Sequence, residues 1–256
     1  MKSFVALLMV NGLLAAFFFI MPAEIKAAAD RSIEVEQYVE IFTSGTLSRR
    51  IAAAKEITRS GLSDPKLFDL INAQLLDNYL QSGGKDHVDY MAWLCKALAS
   101  SGLPQYKPTL EKVAATTTDP KLQRYAKQSL ELFEQYAKMN KVMAGEGNAS
   151  SDRDPEVAKI INMLKSDMMK LKRDAAKMVT RKDYGDPVIY EVINNELLAG
   201  YAAAADNTAV DTMAWLCKAL ATSDNPAYKE TLRKIADSSG NAKLATHAKK
   251  ALKSMN

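Results

Sequence analysis

Cysteine is almost missing from this chain: there are two in 256 residues, Cys95 and Cys217. A small scaffold stapled by several disulfides is therefore excluded. Histidine is equally scarce, and His87 and His247 lack partners at metal-ligand spacing. There is no Gly-rich phosphate loop, no nucleophile elbow and no Cys–His arrangement of recognisable spacing. Carboxylates are plentiful but scattered, so a paired acid/base site cannot be located. No alternating strand-like run of useful length occurs. Neither charge sign dominates: 34 Lys and Arg face 30 Asp and Glu, a net +4 at pH 7, and both signs are interspersed. That balance lacks the dense basic footprint of a nucleic-acid binder. These absences lead us to expect no catalytic residue, no cofactor, no metal and no nucleic-acid partner.

What the chain does contain is a duplication. The run Met-Ala-Trp-Leu-Cys-Lys-Ala-Leu-Ala stands at Met91–Ala99 and again at Met213–Ala221, a shift of 122 residues. The match extends both ways without a gap. Asp64-Pro65 recurs as Asp186-Pro187, and Ile71, Asn72, Leu75 and Tyr79 recur as Ile193, Asn194, Leu197 and Tyr201. Downstream, Pro104, Tyr106 and Lys107 recur as Pro226, Tyr228 and Lys229. Self-similarity at this scale signals stacked supersecondary units. We divide the chain into segment one at 30–141, a small, polar and Gly-rich linker at 142–152, and segment two at 153–256.

The N-terminus reads as a targeting signal over residues 1–29. Lys2 precedes an uncharged, mostly apolar stretch from Phe4 to Met21, Pro22 breaks it, and Ala27-Ala28-Ala29 supplies a small-x-small cleavage pattern. An uncleaved anchor is the alternative, because the stretch is almost long enough to span a membrane. No other segment is apolar enough to do so. The expected location is periplasmic or secreted, and the cleaved chain is not expected to be an integral membrane protein. An exported chain can form disulfides, yet Cys95 and Cys217 occupy equivalent positions in the two copies. In an extended array such positions lie several helices apart, beyond the ~7 Å Cα separation a bridge requires. We expect free, buried thiols.

Apolar residues recur at three- and four-residue spacings throughout, so the pattern predicts an all-α fold. Asp-Pro at Asp64, Asp119, Asp154 and Asp186, with Asn225-Pro226 as a variant, marks helix starts. Asp or Asn caps the first turn, and Pro fits where its missing N–H is not needed. Six helices per segment are predicted: about 33–43, 47–60, 65–82, 87–101, 105–117 and 120–139, then about 155–165, 168–182, 187–203, 209–223, 226–237 and 242–254.

The stretch Asp119-Pro-Lys-Leu-Gln-Arg-Tyr-Ala-Lys-Gln-Ser-Leu130 resembles the second-helix pattern of HEAT repeats. Residues 243–252 carry the same spacing without the Asp-Pro. The resemblance covers nearly the whole chain after residue 29 and implies an armadillo-like α-solenoid of about twelve short helices, with a concave binding surface and no catalysis. Asp89 and Asp211 depart from the family, standing where an Arg often follows the aliphatic residue. Stacking is physically required, since one helical hairpin cannot bury its apolar face alone.

Two constellations lie off the apolar stripes. On the repeated helix, Val88, Met91, Cys95, Leu98 and Ala99 share the core side. Asp89, Trp93 and Lys96 share the far side, as do Asp211, Trp215 and Lys218 in the second copy. These are the only tryptophans in the chain. Trp anchors partners because it removes much surface from water at little entropy cost; the competing reading packs each ring against the next hairpin with Lys96 across it. The second constellation is a basic stripe, Lys170, Arg173, Lys177 and Arg181, of which segment one keeps only Lys55 and Arg59. Asn72 and Asn194 are expected to bond a neighbouring backbone carbonyl. The resulting expectation is a non-catalytic scaffold or adaptor for a protein or peptide. The alternatives are an anion-binding envelope protein for lipid or polysaccharide, or a helical toroid enzyme using carboxylates.

Overall fold

Helices start where the Asp-Pro pairs stand. The computed structural model describes residues 23–145, 153–223 and 225–255. Asp64, Asp119, Asp154 and Asp186 each accept a hydrogen bond from a first-turn N–H at 2.8–2.9 Å, with Pro next in line. Twelve α-helices result, and no strand occurs among the described residues. Segment one holds α1 Ala23–Ser44, α2 Leu47–Ser60, α3 Pro65–Asn78, α4 Lys85–Ser100, α5 Lys107–Thr116 and α6 Pro120–Ala144. Segment two holds α7 Pro155–Lys165, α8 Met169–Val179, α9 Pro187–Gly200, α10 Asn207–Ala221, α11 Lys229–Ser238 and α12 Ala242–Ser254. A single 3-10 turn precedes both α5 and α11, at Pro104–Tyr106 and Pro226–Tyr228. The helices α3 and α9, and α5 and α11, keep the same bounds after a shift of 122 residues. The fold is all-α, as the periodicity predicts.

Within each segment the helices form two rows. The even-numbered helices α2, α4 and α6 lie side by side, as do α8, α10 and α12, while α1, α3 and α5 make the other row, matched by α7, α9 and α11. The helices α4 and α10 sit in the middle and are buried almost all round. Besides the expected Met91, Cys95, Leu98 and Ala99, α4 also buries Tyr90, Ala92, Leu94 and Ala97. Val88 at its start is only partly buried. Each such aliphatic side chain taken fully out of water contributes about 1.5–3 kcal/mol.

The rows do not run on across the junction. A single continuous stack would place α5 beside α7 and α6 beside α8, but neither pair makes an extended contact. Instead α7 packs on the end of α6 and touches α1. The long α6 explains this. Its later turns pass the C-terminal ends of α4 and α2: Asn140 Nδ2 donates to the carbonyls of Ser100 and Ser101 at 2.8 Å. Gly102 (φ +63°) and Gly61 (φ +73°) lie directly against Ala137 and Met143. Both hold a left-handed conformation that glycine adopts without a steric cost. Lys159 on α7 then donates to the Ser60 carbonyl. Helix α6 thus enters the stretch expected to be linker and ends at Ala144, capped by Gly145, with Met143 buried among residues of segment two. The rest of that stretch, 146–152, and the apolar stretch expected to be a targeting signal lie outside the described residues, whereas Ala27-Ala28-Ala29 fall within α1. No helix of the described residues is long and apolar enough to cross a membrane.

Both thiols are free and fully buried, one in each segment's core. Burial pushes each thiol pKa up to about 12. The native protein should therefore give no reaction with a thiol-specific chromogenic reagent at pH 8, and two equivalents after unfolding. Fast native reaction would place a thiol at the surface. Because the folded-state pKa is raised, the stability linked to these thiols is whole below their ordinary pKa and falls as pH climbs toward 12.

Candidate functional site

Helix α4 lies between α2 and α6, so only one of its faces is left uncovered. A turn of 100° per residue puts Asp89, Trp93 and Lys96 on it, and all three are partly exposed. Lys96 Nζ lies 4.2 Å from the centre of the Trp93 ring and 4.3 Å from that of Tyr125 on α6. Lys55 on α2 brings a second ammonium to Trp93, at 5.2 Å. Arg124 lies 5.2 Å from the Tyr125 ring. Ammonium groups are attracted to the negative face of an aromatic ring, and indole attracts them most. Asp89 does not pair with Lys96; it takes Lys121 on α6. The hydrogen bond from Lys121 holds the Asp89 carboxyl below its ordinary range, and Asp89 raises Lys121 in return.

Segment two repeats the arrangement. Lys218 and Lys177 sit 4.8 and 5.2 Å from the centre of the Trp215 ring. A shift of 122 residues maps Lys55, Trp93 and Lys96 onto Lys177, Trp215 and Lys218. The acid is conserved in place but not in partner, because Asp211 takes Arg173 on α8 at 3.2 Å. Segment one has Ile51 at the position of Arg173, and segment two has His247 at that of Tyr125. Neither indole N–H has a hydrogen-bond partner among the described residues, and neither is buried, so each reaches solvent as a free donor.

The two constellations that the sequence analysis separates meet here. Arg173 and Lys177 of the basic stripe belong to the surroundings of Trp215. Lys170 is paired with Asp174 one turn along α8, at 3.3 Å, and only Arg181 stands exposed without a side-chain partner among the described residues. Sequence reasoning did not connect Lys55, Lys121 or Tyr125 with Trp93. The signal for Lys55 was present in its recurrence as Lys177, but using it requires knowing that α2 lies beside α4.

The asparagines depart from expectation. Asn194 Oδ1 accepts from the Thr231 hydroxyl at 2.6 Å instead of the side chain bonding a carbonyl, and Asn72 Oδ1 is buried with no partner. His87 bonds the Asn78 carbonyl, at 3.1 Å. Among the described residues no group of three His, Cys, Asp or Glu is placed to hold a metal ion. No family model matches the chain, and neither a curated protein nor a solved structure matches it significantly.

Proposed function

We propose that the protein is an exported, non-catalytic binding module that holds a protein or peptide partner through two equivalent contacts, centred on Trp93 and Trp215. One observation carries this reading. Both tryptophans are partly exposed, keep a free indole N–H, and are flanked by two lysines at matching positions in the two segments. A lysine across the ring also fits a packing role, and both rings do border the cores; what favours binding is that each ring stays partly exposed with its N–H unpaired. An apolar body with a polar tip is what makes Trp an anchor at interfaces. Export is supported by the apolar stretch from Phe4 to Met21 and the small-x-small pattern after it. The two-row packing within each segment fits the HEAT-like reading of residues 119–130. The rival polyanion stripe loses ground because Lys170 and Arg173 are already in ion pairs.

The test is a variant carrying Trp93→Ala and Trp215→Ala. Each ring is only partly buried, so each truncation should cost about 1–2 kcal/mol, less than the ~3–5 for a fully buried Trp. The variant should keep its far-UV circular dichroism and cooperative unfolding. It should also lose a partner that the parent protein retains from an envelope or secreted extract. An unfolded variant, or one with unchanged retention, would return both rings to a structural role.

A further inference from the structure

We infer that the partner's contact is an acidic peptide segment, and that each lysine–tryptophan–lysine group receives one of its carboxylates; this rests on the binding function proposed above. Lys55, Lys96, Lys177 and Lys218 form no ion pair among the described residues, and all four ammonium groups lie within about 5 Å of an indole ring. The acid on the same face is already taken, Asp89 by Lys121 and Asp211 by Arg173. Each group therefore carries two ammonium groups without a direct ion-pair partner among the described residues, and an unpaired N–H donor, around one flat apolar surface. A carboxylate accepts several hydrogen bonds at once, and bonds from charged donors are the strong ones. The indole surface beside it suits an apolar neighbour in the same peptide.

A phosphate or sulfate polymer fits less well. The whole chain carries only +4, too little for the long-range field such ligands exploit. An acidic peptide carries at most one charge per residue and can present a single carboxylate to each lysine pair.

Intrinsic fluorescence tests this directly, because the chain has two tryptophans, one at each site. Trp93→Phe leaves Trp215 as the reporter, and Trp215→Phe leaves Trp93. The probe is hexaglutamate blocked at both ends, with blocked hexaglutamine as control. Both single-Trp proteins should respond saturably to hexaglutamate and not to hexaglutamine. Half-saturation should weaken several-fold between about 50 and about 300 mM salt. With Lys55→Gln and Lys96→Gln added, the Trp93 response should weaken at least about tenfold. If that pair perturbs folding, Lys55→Gln alone, at an exposed residue, should weaken it several-fold. No response to hexaglutamate, an equal response to hexaglutamine, or a response only to heparin or anionic phospholipid vesicles would overturn the inference. If the captured partner is lost by the double Trp→Ala variant while hexaglutamate stays inert, the binding function survives and the carboxylate chemistry falls. If the partner is retained equally by that variant, the binding function itself falls.

Discussion

Lys172→Met should destabilise segment two by about 1–3 kcal/mol, although it replaces a charge with an apolar side chain of similar length. Lys172 is 9% exposed and forms an ion pair with Glu196, tying α8 to α9. Thr212, fully buried beside α8, donates to the Thr208 carbonyl at 2.8 Å and lies 3.3 Å from the Met169 carbonyl. Removing the ammonium leaves the Glu196 carboxylate in a partly dehydrated site without its counter-charge, and that uncompensated charge is the main cost. The same argument makes Glu196→Gln costly alone, because it strands the ammonium.

Segment one shows how the same place is filled without a charge pair. Arg50, Gln74 and Tyr90 stand at the positions of Lys172, Glu196 and Thr212. Gln74 Nε2 donates to the Phe42 carbonyl at 2.7 Å, Tyr90 donates to Gln74 Oε1, and Arg50 donates to the Thr43 carbonyl at 3.2 Å. A neutral amide is thus compatible with the position of Glu196. The double change Lys172→Met with Glu196→Gln should recover most of the loss and finish within about 1 kcal/mol of the parent. Urea denaturation of the parent, both single variants and the double variant measures this cycle. Single variants within experimental error of the parent would mean that water compensates the pair.

Much of this architecture was legible in the residues. The Asp-Pro pairs carry both a cap and a fixed φ, so they mark helix starts without tertiary help. The exact repeat at 122 residues let each segment check the other, and the buried thiols followed from their place on an apolar stripe. The end of α6 was not legible in the same way. Met143-Ala-Gly-Glu-Gly has linker composition, yet Met139 and Met143, one turn apart, are both buried against segment two. Burial against a distant element outweighed local composition. The site was half legible. Helical periodicity grouped Asp89, Trp93 and Lys96 on one side, because that grouping needs only a single helix. It gave no sign that Asp89 would take Lys121, or that Arg173 and Lys177 would come to Asp211 and Trp215. Those pairings depend on the register between neighbouring helices, which spacing along one helix does not encode.

Leu216→Ala should lower the stability of segment two by about 3–5 kcal/mol while leaving segment one nearly unchanged. Leu216 is fully buried on α10, and truncation removes apolar contacts and leaves a cavity among packed helices. The protein has two cores. One is built from α1 to the middle of α6; the other begins at Met139 and runs to α12, and Tyr136 borders both. Apart from the shared helix α6 the junction is narrow by comparison, with Lys159 on the Ser60 carbonyl and Met143 against Gly61. A loss in one core therefore has few routes into the other. Since a domain's net stability is only about 5–15 kcal/mol, the change removes a large share of what holds segment two folded. In the Trp93→Phe background, emission from Trp215 should report an unfolding midpoint moved to much lower urea. In the Trp215→Phe background, emission from Trp93 should report a midpoint that scarcely moves. Leu94→Ala, at the equivalent position on α4, should reverse the pattern. If instead both reporters shift together for either variant, the last turns of α6 join the segments into one cooperative unit, and Trp93 and Trp215 are held in fixed relation to each other.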